Sequence, residues 1–129
     1  MPTITILGPD SVDPYVAEVL RDNQVLTWVL ADGLEWDPKT PQPIEFLPAD
    51  SFYAKWPGTK PEPVGEKPIG GPDRRDYEAD TKKEMSAGKF QFYHYRLSVR
   101  DSTTKRKIKI RVKRGKKWYD PDVVNEPRP

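Results

Sequence analysis

The run Phe90-Gln91-Phe92-Tyr93-His94-Tyr95-Arg96-Leu97-Ser98-Val99-Arg100, the polar break Asp101–Thr104 and the run Lys105-Arg106-Lys107-Ile108-Lys109-Ile110-Arg111-Val112 decide the fold. Both runs alternate with period two, the side-chain period of a strand. Tyr93, Tyr95, Leu97 and Val99 share one face of the first run, and His94 lies on the other with Phe92 and Arg96. In the second run Ile108, Ile110 and Val112 share a face, opposite Lys107, Lys109, Arg111 and Lys113. The polar break supplies a turn, so the spacing predicts a long β-hairpin over 90–113 with one apolar side.

Upstream, Thr3–Leu7 reads as a short strand stopped by Gly8 and Pro9. Residues 15–20 read as a strand with Tyr15, Ala17 and Val19 on one face, although Asp13 and Pro14 could also open a helix. A tight turn at Asp22-Asn23 leads into Gln24–Leu30, apolar on both faces as a covered central strand would be. Asp32-Gly33 is a turn, Leu34 and Trp36 are core contacts, and Ile44–Leu47 is a brief strand. From 48 to 89 the periodicity disappears among many Pro and Gly, which predicts a long irregular loop, with one or two helical turns possible at Arg74–Glu84. Ser86-Ala87-Gly88 is a turn, and Val123-Val124 closes the chain as a last strand. About seven short strands without a confident helix predict a single all-β sandwich domain over 1–129.

Composition narrows the function classes. The chain has 129 residues, 15 of them Pro and none Cys, so disulfides and thiolate metal sites are excluded. No run reaches the roughly 18 apolar residues that span a bilayer, and no basic-then-apolar leader opens the chain, so a cytoplasmic, non-membrane protein is expected. Charge is unevenly spread. Residues 1–100 hold 12 Lys and Arg against 16 Asp and Glu, whereas residues 101–129 hold 10 against 4. The chain is an acidic body with a basic arm.

Trp28 on an early strand, Tyr93-x-Tyr95-x-Leu97-x-Val99 and the closing Asp120-Pro121-Asp122-Val123-Val124-Asn125-Glu126-Pro127 resemble the DP-EP family of small uncharacterised bacterial proteins. That family takes its name from its Asp-Pro and Glu-Pro dipeptides, and the similarity covers residues 24–47 and 90–127. The resemblance implies an immunoglobulin- or cupredoxin-like β-sandwich. It supplies no reaction, so no catalytic residue is carried over. A blue-copper site needs two His and a Cys, and this chain has His94 alone.

His94 could act as a base or one metal ligand. With no second His or Cys it is better read as a strand-surface imidazole beside Phe92. Carboxylates cluster at Asp32/Glu35/Asp37, Asp73/Asp76/Asp80 and Asp120/Asp122, without the ligand order of a calcium loop. A glycosidase pair could come from such groups, but turns and solvated loops account for them. No nucleophile elbow, phosphate loop, dinucleotide fingerprint or paired-His motif occurs, so no enzyme, metal or cofactor is expected.

The sharpest positive signal is the basic ladder at 105–117. Lys105, Lys107, Lys109, Arg111 and Lys113 could track a polyanion such as nucleic acid, with Phe90, Phe92, Trp118 and Tyr119 as stacking surfaces. Lysines on an edge strand also prevent aggregation, and the arm could dock on acidic surface of a second copy. Ile108, Ile110 and Val112 need a cover. If the core does not reach them, their exposure marks a homo-oligomer interface. The expected function is a non-enzymatic binding or assembly module that self-associates through the 90–113 hairpin, with polyanion binding as the alternative.

Overall fold

The computed structural model describes residues 3–19, 25–81 and 90–125. The expected turns at Asp22-Asn23 and Ser86–Gly88, and the closing Glu126-Pro127, lie outside the described residues. Within them the chain is all-β, with fourteen short strands and no helix. In chain order these are β1 (Thr3–Gly8), β2 (Ser11–Asp13), β3 (Val16–Val19), β4 (Val25–Leu30), β5 (Leu34–Trp36), β6 (Ile44–Phe46) and β7 (Glu62–Pro63). There follow β8 (Tyr77–Asp80), β9 (Gln91–Leu97), β10 (Val99–Asp101), β11 (Lys107–Ile108), β12 (Val112–Arg114), β13 (Lys117–Tyr119) and β14 (Asp122–Asn125). The number exceeds the expected seven because bends at Pro14, Gly33 and Ser98 divide long runs and because β7, β8 and the β12–β13 pair form where no separate strands were expected.

One sheet runs β2-β1-β4-β8-β7, the other β3-β14-β9-β6. Most neighbours are antiparallel, but β1 lies parallel to β4 and β3 parallel to β14. The opening segment therefore serves both sheets, β1 and β2 in one and β3 in the other. Over 13–19 the helix alternative is not taken. The continuation β10 pairs with β5 on one side and with β11 on the other. The turn at Asp32-Gly33 is as expected, with Gly33 at φ 86, a conformation most side chains disfavour.

The buried cluster joins Ile4, Ile6, Leu26 and Trp28 of the first sheet to Val19, Ile44, Tyr93, Tyr95 and Val123 of the second. These positions alternate along their strands, as the pleat requires. Trp28 sits at the centre, edge-on to Tyr95 at 5.6 Å and to Phe46 at 6.2 Å. Strand β4 is central in its sheet, but only one of its faces is fully covered: Val25, Thr27 and Val29 are half-buried.

Two expectations are corrected. The stretch 48–89 is not structureless up to residue 81, since it supplies β7 and β8, and β8 pairs with β4. Arg74–Thr81 takes no helical turn. Tyr77 and Ala79 are buried while Glu78 and Asp80 are exposed, a period-two pattern hidden by the charged neighbours. The 90–113 segment is also not one long hairpin. Only Val99↔Ile108 and Arg100↔Lys107 pair across the turn. The chain then departs, and β12 pairs with β13 instead. The reason lies in β9, whose two edges are already occupied by β14 and β6.

Gly58 marks a tight crossing between the sheets. A Cβ there would lie 2.3 Å from the Asp80 carbonyl oxygen and 2.5 Å from the Trp56 ring. Gly58→Ala should therefore lower the unfolding free energy by about 1–3 kcal/mol, the usual cost of overpacking, in denaturant titration. An unchanged midpoint would mean that this crossing yields freely.

Candidate functional site

The ladder residues are laid along this chain's own acids. Glu35, in β5, is only 2% exposed and Asp37, just beyond it, 3%. Arg100 Nε donates to Glu35 Oε1 at 2.6 Å and Lys105 Nζ to the same oxygen at 2.9 Å. Lys107 Nζ lies 3.6 Å from Asp37 Oδ2. Arg111 Nε donates to Asp10 Oδ1 at 2.9 Å, and the Asp10 N–H bonds the Lys109 carbonyl. Arg114 Nη2 donates to Asp122 Oδ2 at 2.7 Å, and Asp122 is fully buried. A carboxylate removed from water must find such partners.

The turn that starts the ladder is built for this placement. Asp101 accepts the N–H groups of Thr103 and Thr104, both at 2.8 Å, an Asx-type turn. Lys105 follows at φ 62, in the left-handed region, and its ammonium reaches back to Glu35.

Of the five expected polyanion contacts, Lys105, Lys107 and Arg111 are thus paired within the chain, while Lys109 and Lys113 have no acid partner among the described residues. Arg111 also lies over the Trp118 ring at 4.0 Å, with the Lys113 ammonium at 5.6 Å. The expected self-association residues have a different fate. Ile110 and Val112 are 7% and 6% exposed, members of the core, and Ile108 packs against it half-buried. The condition for an apolar interface there, that the core fails to reach them, is not met.

A second cluster was missed by sequence reasoning. Leu47 N–H donates to the His94 carbonyl and Ala54 N–H to that of Phe92, so the chain leaves β9 at Leu47 and returns at Ala54. The excursion folds across the outer face of β9. Its turn is pinned by Asp50, whose Oδ1 accepts the N–H groups of Phe52 and Tyr53. Tyr53 stacks flat on His94, centroids 3.9 Å apart, and Phe52 stacks on Phe92 at 5.5 Å. Asp122 is the cross-strand partner of His94. Asp50 Oδ2 stands 4.0 Å from His94 Nε2.

His94 does share its face with Phe92, but it is a packed member of a polar cluster. His94 Nε2, Asp122 Oδ1 and Arg114 Nε are buried without a hydrogen-bond partner among the described residues. The Arg114 guanidinium also lies over Tyr15 and Tyr119, at 5.5 and 5.3 Å. No signal in the sequence sets the β9–β14 register that creates this cluster. No group of three His, Cys, Asp or Glu residues is placed to hold a metal among the described residues. No helix among them is long and apolar enough to cross a membrane.

The acids are shifted in different directions. Burial opposes ionisation of Glu35, but the bonds and charges of Lys105 and Arg100 prevail and hold its carboxyl below the usual value. The Lys39 N–H leads in lowering Asp37, against burial and with help from Thr40 and Lys107. Burial pushes the Asp122 carboxyl up, with Arg114, His94 and Tyr53 working against it. Compared with family models, curated proteins and solved structures, the chain has no match.

The signs give a pH prediction. Glu35 and Asp37 bind protons less readily folded than unfolded, so their contribution is present above the unfolded carboxyl range and lost as pH falls through the folded values. Asp122 acts in the opposite sense, since the folded state takes its proton first. Denaturation followed from neutral to acid pH should show stability falling, and Glu35→Gln should flatten the fall. An identical pH profile for the variant would show that Glu35 titrates alike in both states. Arg100→Met should cost roughly 1–3 kcal/mol at neutral pH, by removing a donor to a buried charge.

Proposed function

We propose that this chain is a non-enzymatic binding module that contacts a polyanion through the β12–β13 hairpin, with single-stranded nucleic acid the class its exposed rings suit. The observation that carries the reading is the company kept at that tip. Lys113, Lys116 and Lys117 are exposed and have no acid partner among the described residues, beside Trp118 and Tyr119 at 41% and 36% exposed. Gly115 turns the tip at φ 62. A cleft of about 320 Å³ opens beside it, lined by Arg96, Lys109, Arg111 and Trp118 among others. Cations that neutralise phosphates release counterions, and aromatic faces accept unstacked bases. The pairing of Lys105, Lys107 and Arg111 moves the reading from the length of the ladder to its end.

The chain's resemblance to the DP-EP family, its immunoglobulin- or cupredoxin-like character and its cytoplasmic location belong to the same proposal. The sharing of the first strands between two sheets supports that fold type. Self-association is the second reading. It is favoured by Phe52 and Phe90, exposed beside Phe92 on the outer face of β9 at the start of the 90–113 segment.

A labelled single-stranded oligonucleotide tests the first reading. Affinity should fall with salt at a log–log slope near −2, about −0.7 for each of three phosphates contacted. Lys113→Glu with Lys116→Glu and Lys117→Glu should abolish binding, whereas Lys105→Gln should change it little. A flat salt response removes the reading. Light scattering at low and high salt tests the second: a monomer in both ends it, and an oligomer should dissociate in Phe90→Ser.

A further inference from the structure

Strand β6 leaves one edge of its sheet open. Among the described residues it pairs with β9 alone, in the register Ile44↔Leu97, Glu45↔Arg96 and Phe46↔Tyr95. The bonds from Leu47 N–H to the His94 carbonyl and from Ser98 N–H to the Pro43 carbonyl fix which groups face the partner. Opposing residues in an antiparallel ladder alternate between bonded and non-bonded pairs. Residues 43, 45 and 47 therefore face β9, and the N–H and C=O groups of Ile44 and Phe46 point out of the open edge. The Ile44 carbonyl is taken by Gln42 Nε2 at 3.0 Å, and the same amide holds the Pro61 carbonyl at 2.9 Å. The Ile44 N–H and both main-chain groups of Phe46 have no partner among the described residues.

Beside this edge runs a groove of about 650 Å³, lined chiefly by apolar groups. That is within the size range of ligand clefts, roughly 300–1,000 Å³. Its floor is the stacked pair Phe46 and Trp56, 4.2 Å apart and 3° from parallel. Trp56 is held by its Nε1 bond to the Thr59 carbonyl and by the close approach at Gly58, so the floor is preformed. Gln42 ties β6 to the far wall at one end. Lys55 and Lys60 stand exposed on the rim with no acid partner among the described residues, against one acid, Glu45.

We infer that this groove binds an extended peptide segment carrying apolar side chains and net negative charge, added as a short strand along β6. An extended main chain supplies the acceptor and donor that the Phe46 edge lacks, and alternate side chains of an added strand fall on one face, here the Phe46–Trp56 floor. The charge of the rim selects an acidic segment over a basic one. Pro48 has no N–H to offer at the next outward position, and the bond from Gln42 to the Pro61 carbonyl closes the other end, so pairing is limited to a few residues, which suits a peptide better than a long sheet partner.

The test uses the full chain and a fluorescent heptapeptide alternating valine and phenylalanine with serine, with aspartate at both ends. Binding should be saturable, and amide hydrogen exchange read by NMR should slow at Phe46 and Ile44, with shifts confined to 42–49 and 55–61. Lys55→Glu with Lys60→Glu, both surface changes, should weaken binding about tenfold, as reversed charges facing a ligand do. Unchanged affinity in that variant overturns the inference, as does absence of saturable binding. Shifts confined to 113–119 would also overturn it, placing the peptide on the basic hairpin. A Phe46 amide already protected in the free protein, and losing protection on dilution, would make a second copy the occupant and overturn the peptide assignment.

Discussion

A carboxylate buried away from water must be matched by a cation, and that constraint places the C-terminal third of this chain. Glu35, Asp37 and Asp122 lie on or beside two different strands, β5 and β14, and each is met by a cation from the segment 100–114. After β11 the segment leaves the sheets, so its course depends on these pairs and on Ile108, Ile110 and Val112 entering the core. Apolar and polar faces therefore act together. The isoleucines press the arm inward, and the alternate cations find acids at its flanks. The acidic body and the basic arm neutralise one another within a single chain.

This arrangement sorts the surface by function. Cations used internally stop at Arg114. Beyond it the hairpin tip presents Lys116 and Lys117 with no acid partner among the described residues, beside Trp118 and Tyr119, which stay partly exposed although Arg111 and Arg114 lie over one face of each. At the opposite side of β9 the excursion from Leu47 to Ala54 covers the outer face of the sheet, then crosses at Gly58 to the other sheet. That crossing leaves the β6 edge uncovered and lays Trp56 beside it as a floor. Both surfaces follow from where the chain has already satisfied its polar groups, because groups bonded internally have little to offer a partner.

Much of this was legible in the residues. The period-two faces of 93–99, the Gly33 turn and the last strand at 123–124 need only local pattern, and they stand as read; 25–30 is the strand expected, but one of its two apolar faces is only half-covered. The face of His94 beside Phe92 was legible for the same reason. Register and pairing were not. Nothing local to Tyr77–Asp80 distinguishes a short strand from a charged loop until β4 offers it an edge. The basic ladder resembled a polyanion track because alternation reveals a face without revealing what that face meets. Glu35 and Asp37 are some 70 residues from their partners in sequence, and only the pairing of β5 with β10 brings them together. The Asp122–His94 pairing is hidden likewise, in the register of β14 on β9.

The most direct test of the clamp is a double-mutant cycle between Glu35 and Lys105, with Glu35→Gln, Lys105→Met and the pair compared by denaturant unfolding at neutral pH. The account predicts that the two losses are not additive, with a favourable coupling at the low end of the roughly 0.5–3 kcal/mol seen for contacting residues, since the Lys105 ammonium is half exposed. Losses that simply add would contradict it, showing that the arm lies on the acidic body without being held by its charges.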